Sequence, residues 1–194
     1  MASDLSKLDL LVIQIDGLHI GNDLVLVAAL GIDADGHKHP LGLVEGATEN
    51  AAVVQALIDN LIERGLDPKV CRLFIIDGAK ALSKIIRRTF GRPHADPHKA
   101  RNLIERLPKP LHASVRRALR QAWERDDADK AERNVKQWRN AAMALRWTAA
   151  GMMEAAKGFR RLKAYKLLHV LRAALAAHQS NYVTQRVEHD ADAA

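Results

Sequence analysis

Hydrophobic and polar positions alternate in two regimes along the chain. Residues 10–16 form a short apolar, β-branched run that ends in Asp16-Gly17, a pattern that predicts a buried strand delivering a carboxylate at its C-terminal end. Asn22-Asp23 supplies a turn, and residues 24–32 make a second apolar run closed by Asp33, Ala34, Asp35 and Gly36. Residues 37–44 read as a third strand. Connections this short allow only antiparallel neighbours, because a parallel crossover needs about a dozen residues or more.

A helix follows, with Thr48 as N-cap and Glu49 in the first turn. Val53, Val54, Leu57, Ile58, Leu61 and Ile62 recur at helical spacing until Arg64-Gly65 stops it. Residues 70–77 then repeat the first pattern, an apolar run ending in Asp77-Gly78. The predicted order is β-β-β-α-β, with two strands presenting aspartate at corresponding ends.

Beyond Ala79 the pattern turns helical. Leu82, Ile85, Ile86 and Phe90 share one face, and Lys84, Arg87 and Arg88 the other. Residues 92–97 are an irregular, proline-bounded connection. Residues 98–107 predict a short basic helix, 111–137 a longer one, and 138–178 an alanine-rich helical stretch broken at Lys157-Gly158. The three tryptophans, Trp123, Trp138 and Trp147, read as core, with base-stacking platforms as the alternative. The organisation is then 1–90 as an α/β core portion, 91–137 as a basic helical segment, 138–180 as C-terminal helices, and 181–194, which lacks apolar periodicity, as a flexible tail.

Charge sharpens this division. The 194 residues carry a net charge of +7. Residues 1–77 hold 5 Lys/Arg against 12 Asp/Glu, a balance of −7, and residues 78–194 hold 25 against 11, a balance of +14. An acidic half suited to cations thus precedes a basic half suited to a polyanion. The longest apolar stretch, 24–30, is too short to span a membrane, so no membrane association is expected. The lone Cys71 excludes an intramolecular disulfide and a multi-cysteine zinc site, reads as inert core, and fits a reducing cytoplasm.

Asp16 and Asp77 are the leading chemical candidates. Two carboxylates at the ends of apolar strands need a cation, a basic partner or solvent to remain ionised, and a bound Mg²⁺ pair would serve. A plain strand-ending Asp-Gly turn is the bland alternative. The acids alone leave both readings open.

Several segments, taken in order, resemble one family. They are Ile15-Asp16-Gly17; Glu45 to Asn50; Phe74-Ile75-Ile76-Asp77-Gly78-Ala79-Lys80-Ala81-Leu82; His98-Lys99 with Arg101-Asn102; and Met143-Ala144-Leu145-Arg146-Trp147 followed by Phe159-Arg160-Arg161-Leu162. As a set they look like the bacterial Mutator-type DDE transposases over about residues 10–176. The resemblance implies an α/β, RNase H-like mixed sheet followed by a mostly helical C-terminal part, with Asp16 and Asp77 matching the first two acids of the triad. It implies Mg²⁺- or Mn²⁺-dependent phosphodiester cleavage and strand transfer at transposon ends. The implied partners are double-stranded DNA and further copies of the chain, and the implied location is the cytoplasm, on the nucleoid when bound to DNA. Basic residues expected at the DNA are Lys80, His98, Lys99, Arg101, Arg116, Arg117, Arg120, Arg160 and Arg161.

The sequence departs from the family pattern twice. Ala95 stands where a cysteine precedes the matching His98. The third acid, a glutamate after a helical insertion, has no counterpart: the basic stretch runs through Glu132 directly into Trp138-Arg139. The chain therefore reads as a truncated or internally deleted member with impaired strand transfer. Glu154 and Glu132 are the candidate substitutes for the missing acid, though a solvated helix face explains either. A non-catalytic DNA-binding remnant and an RNase H-like nuclease are the alternative functions. His94, Asp96 and His98 alternate as possible metal ligands or as loop histidines near phosphate, and His37 and His39 alternate on a strand with surface exposure as the default.

Overall fold

A computed structural model describes residues 3–20, 24–48, 50–76, 79–91 and 141–191. Three strands, β1 (Leu10–Ile20), β2 (Leu24–Asp33) and β3 (Lys38–Glu45), form the expected antiparallel meander. Helix α1 (Ala51–Glu63) carries the chain back, so that β4 (Leu73–Ile76) pairs parallel to β1. The sheet order is β3-β2-β1-β4, with β1 central. Helix α2 (Lys80–Phe90) follows, and after residues outside the described set come α3 (Ala141–Ala156), a 3-10 turn (Tyr165–Leu167) and α4 (Leu168–Ala191).

Strand alternation sorts the sheet into two faces. Ile13, Ile15, Val27, Ala29, Leu41 and Phe74 point to one side, where they meet Val54, Leu57, Ile58 and Leu61 of α1 and Leu82, Ile85, Ile86 and Phe90 of α2. The other side is capped near the start of β1 by a smaller cluster in which Leu162 and Leu168 cover Val12, Ile32 and Leu73. α3 packs against β3.

Two local expectations change. The cap of α1 is Asn50, whose side chain accepts from the Ala52 and Val53 backbone N–H groups at 3.0 and 3.4 Å. Thr48 is instead buried, with its methyl over Gly17, where a Cβ would stand 3.7 Å from it. α4 keeps a helical backbone to Ala191, beyond the point at which apolar periodicity ends. The break at Lys157-Gly158 is present, closed by N–H bonds to the carbonyls of Glu154 and Ala155. The predicted helices over 98–107 and 111–137 lie outside the described residues.

Two arginines act as internal struts. Arg64 donates to the carbonyls of Ser3 and Leu41 at 3.1 and 2.5 Å, tying the N-terminal segment and β3 to the end of α1. Buried Arg72 donates to the carbonyls of Asp67 and Val70 at 2.6 and 3.2 Å and so shapes the entry to β4. Burial pulls both guanidinium pKa values below their ordinary value.

Candidate functional site

Asp16 does not end its strand. β1 runs on through Gly17 to Ile20, held by antiparallel pairs from Asp16↔Ala28 to Ile20↔Leu24. The Asp-Gly pair read as a turn is overridden by this ladder, since β2 supplies cross-strand partners for another four residues. What does end here is the other ladder. The parallel pairing of β1 with β4 stops at Ile15↔Ile76, and these are the residues immediately before Asp16 and Asp77 in the chain. Asp77 itself lies outside the described residues.

Asp16 is half-buried and projects from the sheet face opposite α1 and α2, where its cross-strand neighbours are Ala28 and then Leu43. One carboxylate oxygen accepts from the Gly17 backbone N–H at 2.8 Å. A hard divalent cation such as Mg²⁺ takes carboxylate oxygens. A half-buried carboxylate is a donor that suits one.

The other candidates are dispersed. Lys80 opens α2 and is exposed, and Ala79 before it provides no side-chain cap. Arg160 and Arg161 are exposed in the segment between α3 and the 3-10 turn. Arg161 is engaged: its Nε–H donates to His37 Nε2 at 2.8 Å and its guanidinium lies 5.6 Å from the Tyr165 ring centre. Glu154 stands on the exposed side of α3 with its carboxylate 2.6 Å from Lys157 Nζ. His98, Lys99, Arg101, Arg116, Arg117, Arg120 and Glu132 lie outside the described residues, as do His94 and Asp96.

Sequence reasoning missed a second polar cluster at the β2–β3 turn. Asp33 Oδ2 lies 2.8 Å from His39 Nε2 and 3.3 Å from His37 Nδ1, while Oδ1 accepts from the backbone N–H groups of Asp35 and His37. Because His37 Nε2 accepts from Arg161, the neutral ring carries its proton on Nδ1, facing Asp33. Burial opposes the charge on Asp33, but the His39 bond, the His37 N–H and both imidazoles outweigh it and hold the carboxyl below its usual range. Oxygen and nitrogen atoms of Asp33, Asp35 and His37 all fall within 4.8 Å of one another. Asp33 lies five positions along β2 from Ala28, the cross-strand partner of Asp16, so the cluster stands about 17 Å along the sheet from that residue at about 3.3 Å per position. It is a separate place on the sheet. The partial signal in the sequence was the alternation of His37 and His39.

Trp147 also departs from expectation. Read as core, it is 63% exposed on α3. Trp123 and Trp138 lie outside the described residues. Cys71 is buried as expected, and burial pushes its thiol pKa up.

Comparison with known proteins adds to this picture. A family model described as "Transposase, Mutator family" matches residues 6–167. The transposase for insertion sequence element IS6120 of Mycolicibacterium smegmatis is 32% identical over 143 residues, which is 70% of this chain and 44% of that protein. The chain thus spans less than half the length of this curated relative.

Proposed function

The chain belongs to the Mutator family of transposases, and on that premise we propose that it is a DDE-type DNA transposase with an RNase H-like core and an incomplete acid triad. Asp16 and Asp77 are its first two acids. The observation that carries this reading is the β1–β4 register: the last parallel pair, Ile15↔Ile76, leaves each acid one peptide bond beyond a paired residue on adjacent strands. Strand pairs stand about 4.8 Å apart, a spacing from which two carboxylates can share a cation. A mixed sheet with β1 in the centre supports the same core.

In this reading Asp16 and Asp77 would hold Mg²⁺ or Mn²⁺. When bound there, such an ion would supply Lewis acidity toward the attacking and leaving oxygens. Asp16 is held by the β1–β2 ladder, by the β1–β4 ladder that ends one residue before it, and by the bond from its own following N–H, so its carboxylate would receive a cation without rearrangement. In this proposal the exposed cations Lys80 and Arg160 would contact the DNA backbone, with His98, Lys99, Arg101 and the Arg116, Arg117 and Arg120 cluster as further contacts. Arg161 contributes to that surface while steadying the segment through His37. The partners are double-stranded transposon ends, target DNA and further copies of the chain.

The missing glutamate sets the expected activity. Glu154 is committed to Lys157 at the surface, so it supports the solvated-face reading. With two acids, strand transfer is expected to be weak or absent. The test is Mg²⁺- or Mn²⁺-dependent nicking and joining of transposon-end DNA. Robust joining abolished by Asp16→Asn would overturn the impairment and uphold the catalytic role. Robust joining untouched by Asp16→Asn would sink the site assignment.

A further inference from the structure

We propose that the exposed face of α3 centred on Trp147 binds an unpaired nucleotide of DNA, the indole stacking on the base while Arg146 takes a neighbouring phosphate. This rests on the reading of the chain as a DNA-binding transposase and adds a site to it.

Three observations converge. An indole buries a large apolar surface when it can, yet Trp147 is 63% exposed. Its neighbours then leave its ring uncovered. Helical side chains lean toward the N-terminus, so the residue one turn on would drape over Trp147. That residue is Gly151, and a Cβ built there meets nothing within 4 Å. Ala150, on the same side, is exposed and adds only a methyl group. A helix-weakening glycine at this point adds no side chain beside the ring.

Charge selects the partner. Arg146 is exposed next to Trp147, and Arg160, Lys163 and Lys166 are exposed in the segment that follows α3. From residue 142 to 180 the described acids amount to Glu154, and its charge is met by Lys157. An exposed aromatic ring with an exposed arginine beside it in the chain, in a stretch poor in acids, is the combination that holds single-stranded nucleic acid, by stacking plus phosphate contact. A protein partner with an apolar groove would use the ring but gain nothing from the cations.

Two fluorescein-labelled probes of equal length test the site by anisotropy: a plain duplex and the same duplex carrying a three-thymine flap. Wild-type protein is expected to bind the flap probe more tightly, with its tryptophan fluorescence quenched. Trp147→Ala is expected to lose about 5- to 100-fold on the flap probe and stay within about twofold on the duplex. Trp147→Phe, which keeps a ring, should retain most of the preference, and Arg146→Ala should lower the salt dependence on the flap probe. If Trp147→Ala binds both probes as wild type does, or loses equally on both, the stacking site is wrong while DNA binding stands. A shift of the DNA-free protein toward monomer in Trp147→Ala, with flap binding unchanged, would assign the face to a second copy and overturn the proposal. Failure of the wild type to bind either probe at low salt would remove the DNA-binding reading as well.

Discussion

Adding a single methyl group at Gly36 probes how the C-terminal segment is fastened to the sheet. Gly36 sits at the β2–β3 turn with φ +83°, a left-handed conformation, and its carbonyl accepts from the Leu162 N–H at 2.9 Å. A Cβ there would stand 2.5 Å from Tyr165 Cβ and 3.5 Å from both Tyr165 Cα and Leu162 Cβ. The left-handed backbone alone costs an alanine about 1–2 kcal/mol. Overpacking against an atom fixed to the backbone adds about 1–3 kcal/mol, since no rotamer moves a Cβ away. Gly36→Ala is therefore expected to destabilise the protein by about 2–5 kcal/mol, read as a fall in the urea midpoint at unchanged slope. Tyr165→Gly removes the clashing Cβ, so in that background the same substitution should cost only the backbone part, about 1–2 kcal/mol. A loss below about 1 kcal/mol in the single variant, or a full loss that persists in the Tyr165→Gly background, would refute the close approach.

Asp33 is held below the ordinary carboxylate value of 3.8, so its interactions stabilise the fold above that pH and are lost as pH falls through the lowered folded value. Asp33→Asn should accordingly flatten the acid limb of a thermal-melt series, and an unchanged limb would contradict the assigned bonds. Asn50→Ala should cost about 1 kcal/mol by removing the α1 cap, whereas Thr48→Ser, which keeps the hydroxyl but loses the methyl over Gly17, tests packing there instead. Cys71, buried with a raised thiol pKa, should react with a thiol reagent at mildly alkaline pH only after urea is added.

The elements that sequence patterning located are those built from contiguous, local signals. The β-β-β-α-β order follows from apolar runs separated by tight turns, the end of α1 from Gly65, and the break after α3 from Lys157-Gly158. What the pattern misplaced depended on partners distant in the chain. Asp16-Gly17 looks like a turn until β2 pairs alongside it, and Thr48 looks like a cap until Gly17 leaves room for it to be buried. The Asp33, His37, His39 and Arg161 cluster joins residues from the first and last parts of the chain, which no spacing rule anticipates. For Trp147 the preferred core reading fails, because hydrophobicity alone assigns an indole to the core. Its exposure becomes visible only once Gly151 and the packing of α3 are known. For the candidate site, Asp16 was legible as a residue, and its setting beside the end of the β1–β4 ladder came from the sheet.

The central position of β1 has a consequence for the order of assembly. Strands β1, β2 and β3 are joined by short turns, so their pairing closes small loops and proceeds rapidly. Residues 12–15 meet residues 73–76 only after the meander and α1 have been laid down, at the entropic cost of a much longer loop. The strand that leads into Asp77 therefore docks late onto a preformed sheet. A ribosome-bound chain stopped before β4 has emerged is expected to contain the meander with Ile15 still unpaired on its β4 side.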